Sequence, residues 1–169
     1  YFSVPQMAAT LWNQPTFAPE KLKNIVSWAI GGAPNPKAQS ERFVNAGVRI
    51  SEGFGMSETG SNFAMPAHDL PTLLRKAGSC GLPLMTVETK IVDDDGNEVP
   101  TGERGELWVR GPCVAHGYWK QPELTAKAFV DGWFVTGDAA MRDEDGFFYI
   151  VDRKKDMYIS GGENVYPAE

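Results

Sequence analysis

The sequence is poor in the residues that build metal frameworks and disulfide scaffolds. Among 169 residues it has 2 cysteines, Cys80 and Cys113, and 2 histidines, His68 and His116. These are too few and too scattered for a zinc site or a cross-linked secreted domain. Both cysteines are expected to be reduced, partly buried small residues of a cytoplasmic protein. Neither histidine has a Cys, Ser or acid at a recognisable catalytic spacing, and both are expected to be structural. No run approaches the roughly 20 apolar residues that a membrane span requires. No basic-then-apolar leader opens the chain, so neither an integral membrane segment nor export is expected. The formal net charge of -6 comes without a long block of either sign, which argues against a nucleic-acid or anionic-membrane surface. The acidic turns fail as calcium loops: counted from Asp93, the glycine is fourth rather than sixth and the twelfth residue is Arg104 rather than Glu.

What is present is a balanced globular composition, 42% apolar, 22% charged and 11% aromatic. The 18 glycines and 12 prolines predict a turn-rich chain rather than a plain helical bundle. The chain starts without a methionine and stops directly after a Gly-rich turn, and it reads as an internal piece of a longer protein.

Hydrophobic patterning divides the chain in two. A helix is expected over residues 5–14 and a buried strand over 25–30. The break Gly31-Gly32-Ala33-Pro34 follows, then a helix over 36–46 capped by Asn35 and stopped by Gly47, and a second strand from Val48. Strand, helix, strand over this length is a right-handed crossover between parallel strands, which brings the loops after both strands to one sheet edge, where ligands usually bind. From about Lys76 the pattern becomes short alternating strands. Val87, Thr89 and Ile91 alternate with Glu88 and Lys90, and Leu107 and Val109 alternate with Glu106, Trp108 and Arg110. Turns at Asp94-Asp95-Gly96-Asn97 and Asp143-Glu144-Asp145-Gly146 suit antiparallel links. A short helix near residues 123–129 interrupts them. The expected fold is α/β followed by β: the end of a parallel α/β subdomain (residues 1–75), a small distorted β-barrel (76–151), and a charged hinge segment opening a further domain (152–169).

Three stretches have the residue types of a nucleotide site. Gly53-Phe54-Gly55-Met56-Ser57-Glu58-Thr59-Gly60 is expected as a loop after the second parallel strand, combining glycines that allow backbone approach, a hydroxyl, a carboxylate and a flat ring. Thr136-Gly137-Asp138 places an acid where it can accept from two neighbouring hydroxyls, the pair a ribose offers. Asp152-Arg153-Lys154-Lys155-Asp156, followed by Gly161-Gly162, sets basic groups beside a flexible turn.

Taken in order, these stretches resemble the adenylate-forming superfamily of acyl-CoA synthetases, luciferases and peptide-synthetase adenylation domains. Gly105-Glu106-Leu107-Trp108-Val109-Arg110-Gly111 with Gly117-Tyr118-Trp119 is similar to its Gly-Glu-Leu motif, and the likeness covers nearly the whole chain. The resemblance implies that Gly32, Ala33, Pro34 and Phe54 sandwich adenine and that Gly53, Gly55 and Met56 also bind the nucleotide. It further implies that Ser57 touches the α-phosphate, Glu58 holds Mg²⁺, Asp138 takes the ribose hydroxyls and Arg153 lies on the ribose-phosphate side. Lys155 would be the hinge, and Gly161 and Gly162 would line the path of the pantetheine arm. The implied activity is an ATP-dependent ligation of a fatty or aryl carboxylic acid to coenzyme A through an acyl-adenylate. A carrier-protein-loading adenylation domain is the same-fold alternative, and a non-catalytic nucleotide-binding module the different one.

Departures from the family's pattern accompany it. Ser57 replaces the usual Thr, Phe54 the usual Tyr, and Glu52 stands where Gln is frequent, adding a carboxyl near the phosphates. The Ser/Thr/Gly-rich phosphate loop and the adenylation lysine of the family are not in these residues. The polypeptide by itself is therefore expected not to form acyl-adenylate.

Overall fold

The computed structural model describes the backbone of residues 1–153, 158–160 and 163–165, and the side chains of residues 1–151. Lys155, Gly161 and Gly162 lie outside the described residues, as does the side chain of Arg153, so the hinge and the pantetheine path fall there too.

The first layer is a sheet with helices against it. Phe2–Ser3 (β1) leads into Pro5–Trp12 (α1), Trp28–Ile30 (β2), Lys37–Asn45 (α2) and Ile50–Met56 (β3). β1, β2 and β3 pair in parallel, Ala29 opposite Phe2 and Ile50 opposite Trp28, as a crossover through α2 requires. Gly60–Ala64 (β4) turns back antiparallel on β3, Leu70–Arg75 (α3) follows, and Leu82–Pro83 (β5) closes a five-stranded sheet in the order of the chain. Several elements are shorter than their patterns suggested. α1 ends at Trp12 because Gln14 precedes Pro15, and a residue before proline is pushed out of the helical region. The strand expected from residue 25 begins only at Trp28, because Ile25 N–H closes a turn on the Leu22 carbonyl at 3.0 Å. Asn35 does not cap the backbone of α2, whose N-cap is Pro36. Instead its Nδ2 donates to Ser40 Oγ at 2.6 Å, one turn into the helix. Gly47 takes φ +81° just beyond the end of α2, the left-handed stop that glycine allows.

The second layer is an open, curled antiparallel sheet. Glu88–Val92 (β6), Arg104–Arg110 (β7), Pro122–Ala128 (α4), Phe129–Val130 (β8), Trp133–Arg142 (β9) and Phe148–Arg153 (β10) follow in turn. The sheet order is β10, β9, β7, β6, with β8 on β9. β6 and β10 do not close on one another among the described residues, so the expected barrel is a half-barrel. Tyr158–Ser160 (β11) and Glu163–Val165 (β12) form a separate antiparallel pair. The inward alternation holds: Ile91, Leu107 and Val109 are buried while Arg110 and Glu88 are exposed and paired.

Two apolar cores result, and two adjacent residues, Phe147 just before β10 and Phe148 at its start, enter one each. Phe147 packs with Trp28, Phe43, Ile50 and Leu73 in the first, and Phe148 with Phe63, Leu107 and Val109 in the second. Trp12, Trp28 and Phe17 all meet the Phe43 ring, at 4.8, 5.1 and 5.9 Å between centroids. The seam between layers is a set of hydrogen bonds at Phe148. Its carbonyl accepts from Cys80 N–H at 2.9 Å and Ser79 Oγ at 2.8 Å, and its N–H donates to the Gly81 carbonyl at 2.9 Å. Beside it, Lys76 Nζ lies 2.6 Å from carboxylate oxygens of both Asp143 and Asp145. Cys80 is fully within this seam, whereas Cys113 is exposed, contrary to the expectation of partial burial.

Replacing Phe148 by alanine opens a cavity in the second core and is expected to cost about 3–5 kcal/mol of unfolding free energy. Met85→Ala, at an exposed side chain, is expected to stay within about 0.5 kcal/mol of the parent. Equal costs at the two positions in urea unfolding would contradict this placement of the core.

Candidate functional site

A cavity of about 440 Å³ opens where the two layers meet. Its walls come from four places in the chain: the loop after β2 (Gly32, Ala33, Pro34), the β3 strand from Glu52 to Met56, the connection after α3 (Gly78, Cys80), and the adjacent strands β9 and β10 (Asp138, Ile150, Val151). Eight of the residues singled out in the sequence, Gly32, Ala33, Pro34, Gly53, Phe54, Gly55, Met56 and Asp138, thus line one space. Ser57 and Glu58 do not line it. They sit in the turn that follows β3, and the backbone of Arg153 pairs with that of Asp138.

The loop expected over residues 53–60 is mostly strand. Gly53 and Phe54 pair antiparallel with Ala64 and Phe63, and Gly55 and Met56 with Ser61 and Gly60, after a register shift. Glycine at 55 makes this pairing feasible, because a Cβ there would lie 2.2 Å from the Gly60 carbonyl oxygen and 2.8 Å from the Ser61 Cα. Only residues 57–59 turn. The turn is held from inside by buried Thr59, whose Oγ1 lies 2.5 Å from Asn62 Oδ1 and whose carbonyl accepts from Asn62 Nδ2 at 3.1 Å. Phe54 presents a half-buried ring to the cavity, braced edge-on by Phe63 at 5.9 Å.

Asp138 reaches the cavity by way of a bulge. On β7, Glu106 pairs with Ala139 and Trp108 with Val135, so Leu107 alone faces residues 136–138 of β9. Thr136 Oγ1 fills the interrupted ladder by donating to the Leu107 carbonyl at 2.7 Å, and Asp138 N–H donates back to Thr136 Oγ1 at 3.1 Å. Gly137 takes φ +75° between them, the left-handed conformation that glycine accepts without penalty. β10 carries a complementary irregularity, skipping Val151 between Ile150 and Asp152. Such bulges re-aim side chains, and here they bring Asp138, 4% exposed, and Val151 to the same wall.

Glu52 was legible only as an unusual residue, and it is central to the wall. Its Oε1 accepts from Ser40 Oγ at 2.7 Å and from Gly78 N–H at 3.3 Å. Ser40 in turn accepts from Asn35, which accepts from Gln39 Nε2 at 2.8 Å, and Gln39 also donates to the Pro5 carbonyl at 2.9 Å. Burial raises the Glu52 pKa, and the hydrogen bonds from Ser40, Asn35 and Gly78 only partly oppose it. The neighbouring Cys80 thiol is pushed up to about 12, chiefly by burial, and its Sγ lies 3.3 Å from the Phe148 carbonyl. It is a packed thiol, not a nucleophile. Nothing in the local sequence marks Gly78, Cys80, Ile150 or Val151 as wall residues, since their place depends on the seam and the bulges.

Glu58 lies half-buried at the turn. Its carboxylate Oε1 accepts from the Tyr118 phenol at 2.9 Å, and its carbonyl accepts from Ala115 N–H at 2.7 Å. The Gly117-Tyr118-Trp119 motif pointed to the segment, but no spacing rule ties Tyr118 to Glu58.

A family model described as AMP-binding enzyme matches residues 1–119. The chain is 40% identical over 168 residues to a feruloyl-CoA synthase of Amycolatopsis sp, covering 99% of this chain and 34% of that protein. It is 44% identical over 160 residues to a long-chain-fatty-acid–CoA ligase of Salmonella typhimurium, covering 94% of this chain and 28% of that one. Its fold is similar to the solved structure of O-succinylbenzoate coenzyme A synthetase from Bacillus subtilis in complex with ATP and magnesium ion. That match has a TM-score of 0.85 and 34% identity, over 99% of this chain and 34% of that one. The chain spans about a third of the length of the curated relatives it matches.

The buried carboxyl gives the folded chain a defined pH response. A pKa raised above the ordinary 4.5 means that stability is fully present below about pH 4.5 and is lost as the pH rises through the folded-state value. Glu52→Gln keeps an acceptor for Ser40 and Gly78 and removes the ionisation. The variant is expected to melt above the parent at pH 7, with the gap closing as pH falls toward 4.5. Melting curves with a pH-independent gap, or a variant less stable at pH 7, would refute it.

Proposed function

The chain belongs to the AMP-binding enzyme family, and from that membership we propose that it forms the adenosine-binding part of an ATP-dependent acid–CoA ligase. The observation that carries the reading is the convergence of eight motif residues, from three separate stretches of sequence, on one cavity. Gly32, Ala33 and Pro34 on one side and the Phe54 ring on the other make a slot suited to a flat base. Asp138, delivered by its bulge, supplies a carboxylate to the paired ribose hydroxyls, and Arg153, whose backbone pairs with that of Asp138, is assigned to the ribose-phosphate side. Ser57, exposed at the turn, offers its hydroxyl to the α-phosphate.

The donor set at the turn fits Mg²⁺. That ion is usually bound by one or two carboxylates together with substrate phosphates and water. Glu58 has one oxygen engaged by Tyr118, while its Oε2 takes no hydrogen bond among the described residues. When bound, the ion supplies charge neutralisation for attack at phosphorus. The chain's own part is to hold adenosine and to orient the α-phosphate toward an incoming carboxylate. In the first half-reaction a carboxylate oxygen bonds to the α-phosphorus as the bond to pyrophosphate breaks. In the second, the thiolate of coenzyme A bonds to the acyl carbon as AMP leaves. AMP makes a far better leaving group than oxide, which is why the acid is activated first.

The remaining assignments belong to the same proposal. Residues 1–75 are read as the end of the α/β subdomain, 76–151 as the barrel subdomain, and 152–169 as hinge and start of the C-terminal domain, with Lys155 as the hinge residue. Gly161 and Gly162 would flank the pantetheine arm. The acid is a fatty or aryl carboxylic acid, the two kinds named in the relatives above, and the enzyme acts in the cytoplasm. Among the described residues no helix is long and apolar enough to cross a membrane. The phosphate loop and the adenylation lysine would come from the remainder of the enzyme, so these 169 residues bind nucleotide without forming acyl-adenylate.

Titration calorimetry with AMP tests the reading. The chain is expected to bind AMP, and Asp138→Ala to weaken it by about 10- to 100-fold, the scale of a lost charged hydrogen-bond pair. Formation of acyl-adenylate by these residues alone, or AMP binding untouched by Asp138→Ala, would overturn it.

A further inference from the structure

The turn that carries Glu58 is held by a segment far away in sequence. Residues 115–118 make two contacts with this one residue: Ala115 N–H donates to the Glu58 carbonyl at 2.7 Å, and the Tyr118 phenol donates to Glu58 Oε1 at 2.9 Å. The segment is itself anchored on α4. Tyr118 N–H donates to Thr125 Oγ1 at 2.9 Å, and that hydroxyl donates to the Gln121 carbonyl at 2.8 Å. Gly117 passes so close to α4 that a Cβ would lie 2.5 Å from Thr125 Cγ2. The Tyr118 ring rests edge-on against Phe129 at 6.1 Å, a contact that phenylalanine would make equally well. Among the described residues the phenolic oxygen has one hydrogen-bond partner, Glu58.

We infer that Tyr118 is the positioning residue for Glu58, occupying Oε1 so that Oε2 is presented in one fixed direction to a divalent cation on the nucleotide phosphates. The inference rests on the assignment of Glu58 as the cation ligand made above. Carboxylates that ligate metals are commonly oriented by a hydrogen bond of this kind, and losing the outer partner typically weakens metal binding about 10- to 100-fold. The connection gives the half-barrel a role at the phosphate end of the site, because Tyr118 follows β7 whereas Glu58 follows β3.

The test uses the complete enzyme with ATP, and Mn²⁺ as a paramagnetic substitute for Mg²⁺. Tyr118→Phe is expected to weaken Mn²⁺ binding to the nucleotide complex, read by electron paramagnetic resonance, about 10- to 100-fold. Metal-free AMP affinity is expected to change by less than about twofold, because the adenosine cavity does not include Tyr118. Glu58→Gln is expected to weaken Mn²⁺ binding as well, and the double variant to be no weaker than Glu58→Gln alone. If Glu58→Gln leaves Mn²⁺ binding unchanged, the assignment of Glu58 falls and the inference with it. If Glu58→Gln weakens binding but Tyr118→Phe does not, only the inference is overturned. Equal loss of metal-free AMP affinity in Tyr118→Phe would show a general structural role and also overturn it.

Discussion

The site depends on the seam at Phe148. A carbonyl of the half-barrel accepts from the main chain of Cys80 and the hydroxyl of Ser79, and the same residue's N–H returns to Gly81. Two sheets of different construction are thereby joined through backbone atoms, with the Lys76 ammonium between Asp143 and Asp145 alongside. The side chains of two adjacent residues there enter different cores, Phe147 the first and Phe148 the second. The cavity lies beside the seam with walls from both sheets, and Cys80 belongs to both seam and wall. A buried polar junction of this kind is stable only when its donors and acceptors are satisfied, and at Phe148 both main-chain groups are.

Onto this frame the chain builds a wall with two acidic side chains, Glu52 and Asp138, an arrangement that as two carboxylates would oppose an anionic ligand. The environments separate their behaviour. Burial favours the neutral form of Glu52, and its Oε1 is committed to Ser40 and Gly78. It therefore acts as a brace among α2, β3 and the connection to the half-barrel. Asp138 enters from the opposite layer on a bulge whose purpose is to turn one residue out of the ladder. The nucleotide reading thus needs only Asp138 to meet the ligand as a carboxylate, at its hydroxyl-bearing sugar rather than at its phosphates.

Much of the architecture was legible in the sequence because it follows local rules. The alternation around Leu107 and Val109 identifies a half-buried strand, and the Gly31-Gly32-Ala33-Pro34 break ends β2 before a crossover helix. Element ends were less legible, since Trp12 and Trp28 bound their elements for reasons of turn closure and an approaching proline. The 53–60 stretch reads as a loop in sequence yet is mostly strand, because glycine is ambiguous: it suits a turn, while Gly55 lets β4 approach β3 without a side chain between them. Tyr118 and Gly78 were not legible as site residues at all. Each reaches the site through a long-range contact, Tyr118 across 60 residues to Glu58 and Gly78 across 26 to Glu52, and no periodicity encodes such pairs.

The same contacts divide the site into parts of unequal rigidity. The proposed base slot has the loop after β2 on one side and, on the other, the β3 strand held by ladder bonds, with its Phe54 ring braced by the buried Phe63. The phosphate end is three turn residues, 57–59, held beneath by Thr59 and Asn62 and above by Ala115 and Tyr118. A turn held by two pairs of hydrogen bonds keeps its direction but yields more readily than a ladder. For a reaction in which adenosine stays in place while charge at the α-phosphate changes, this is the useful distribution. On the nucleotide reading, the β3 side of the base slot is stiff, and the turn assigned to the phosphates is tethered through Tyr118 to the half-barrel.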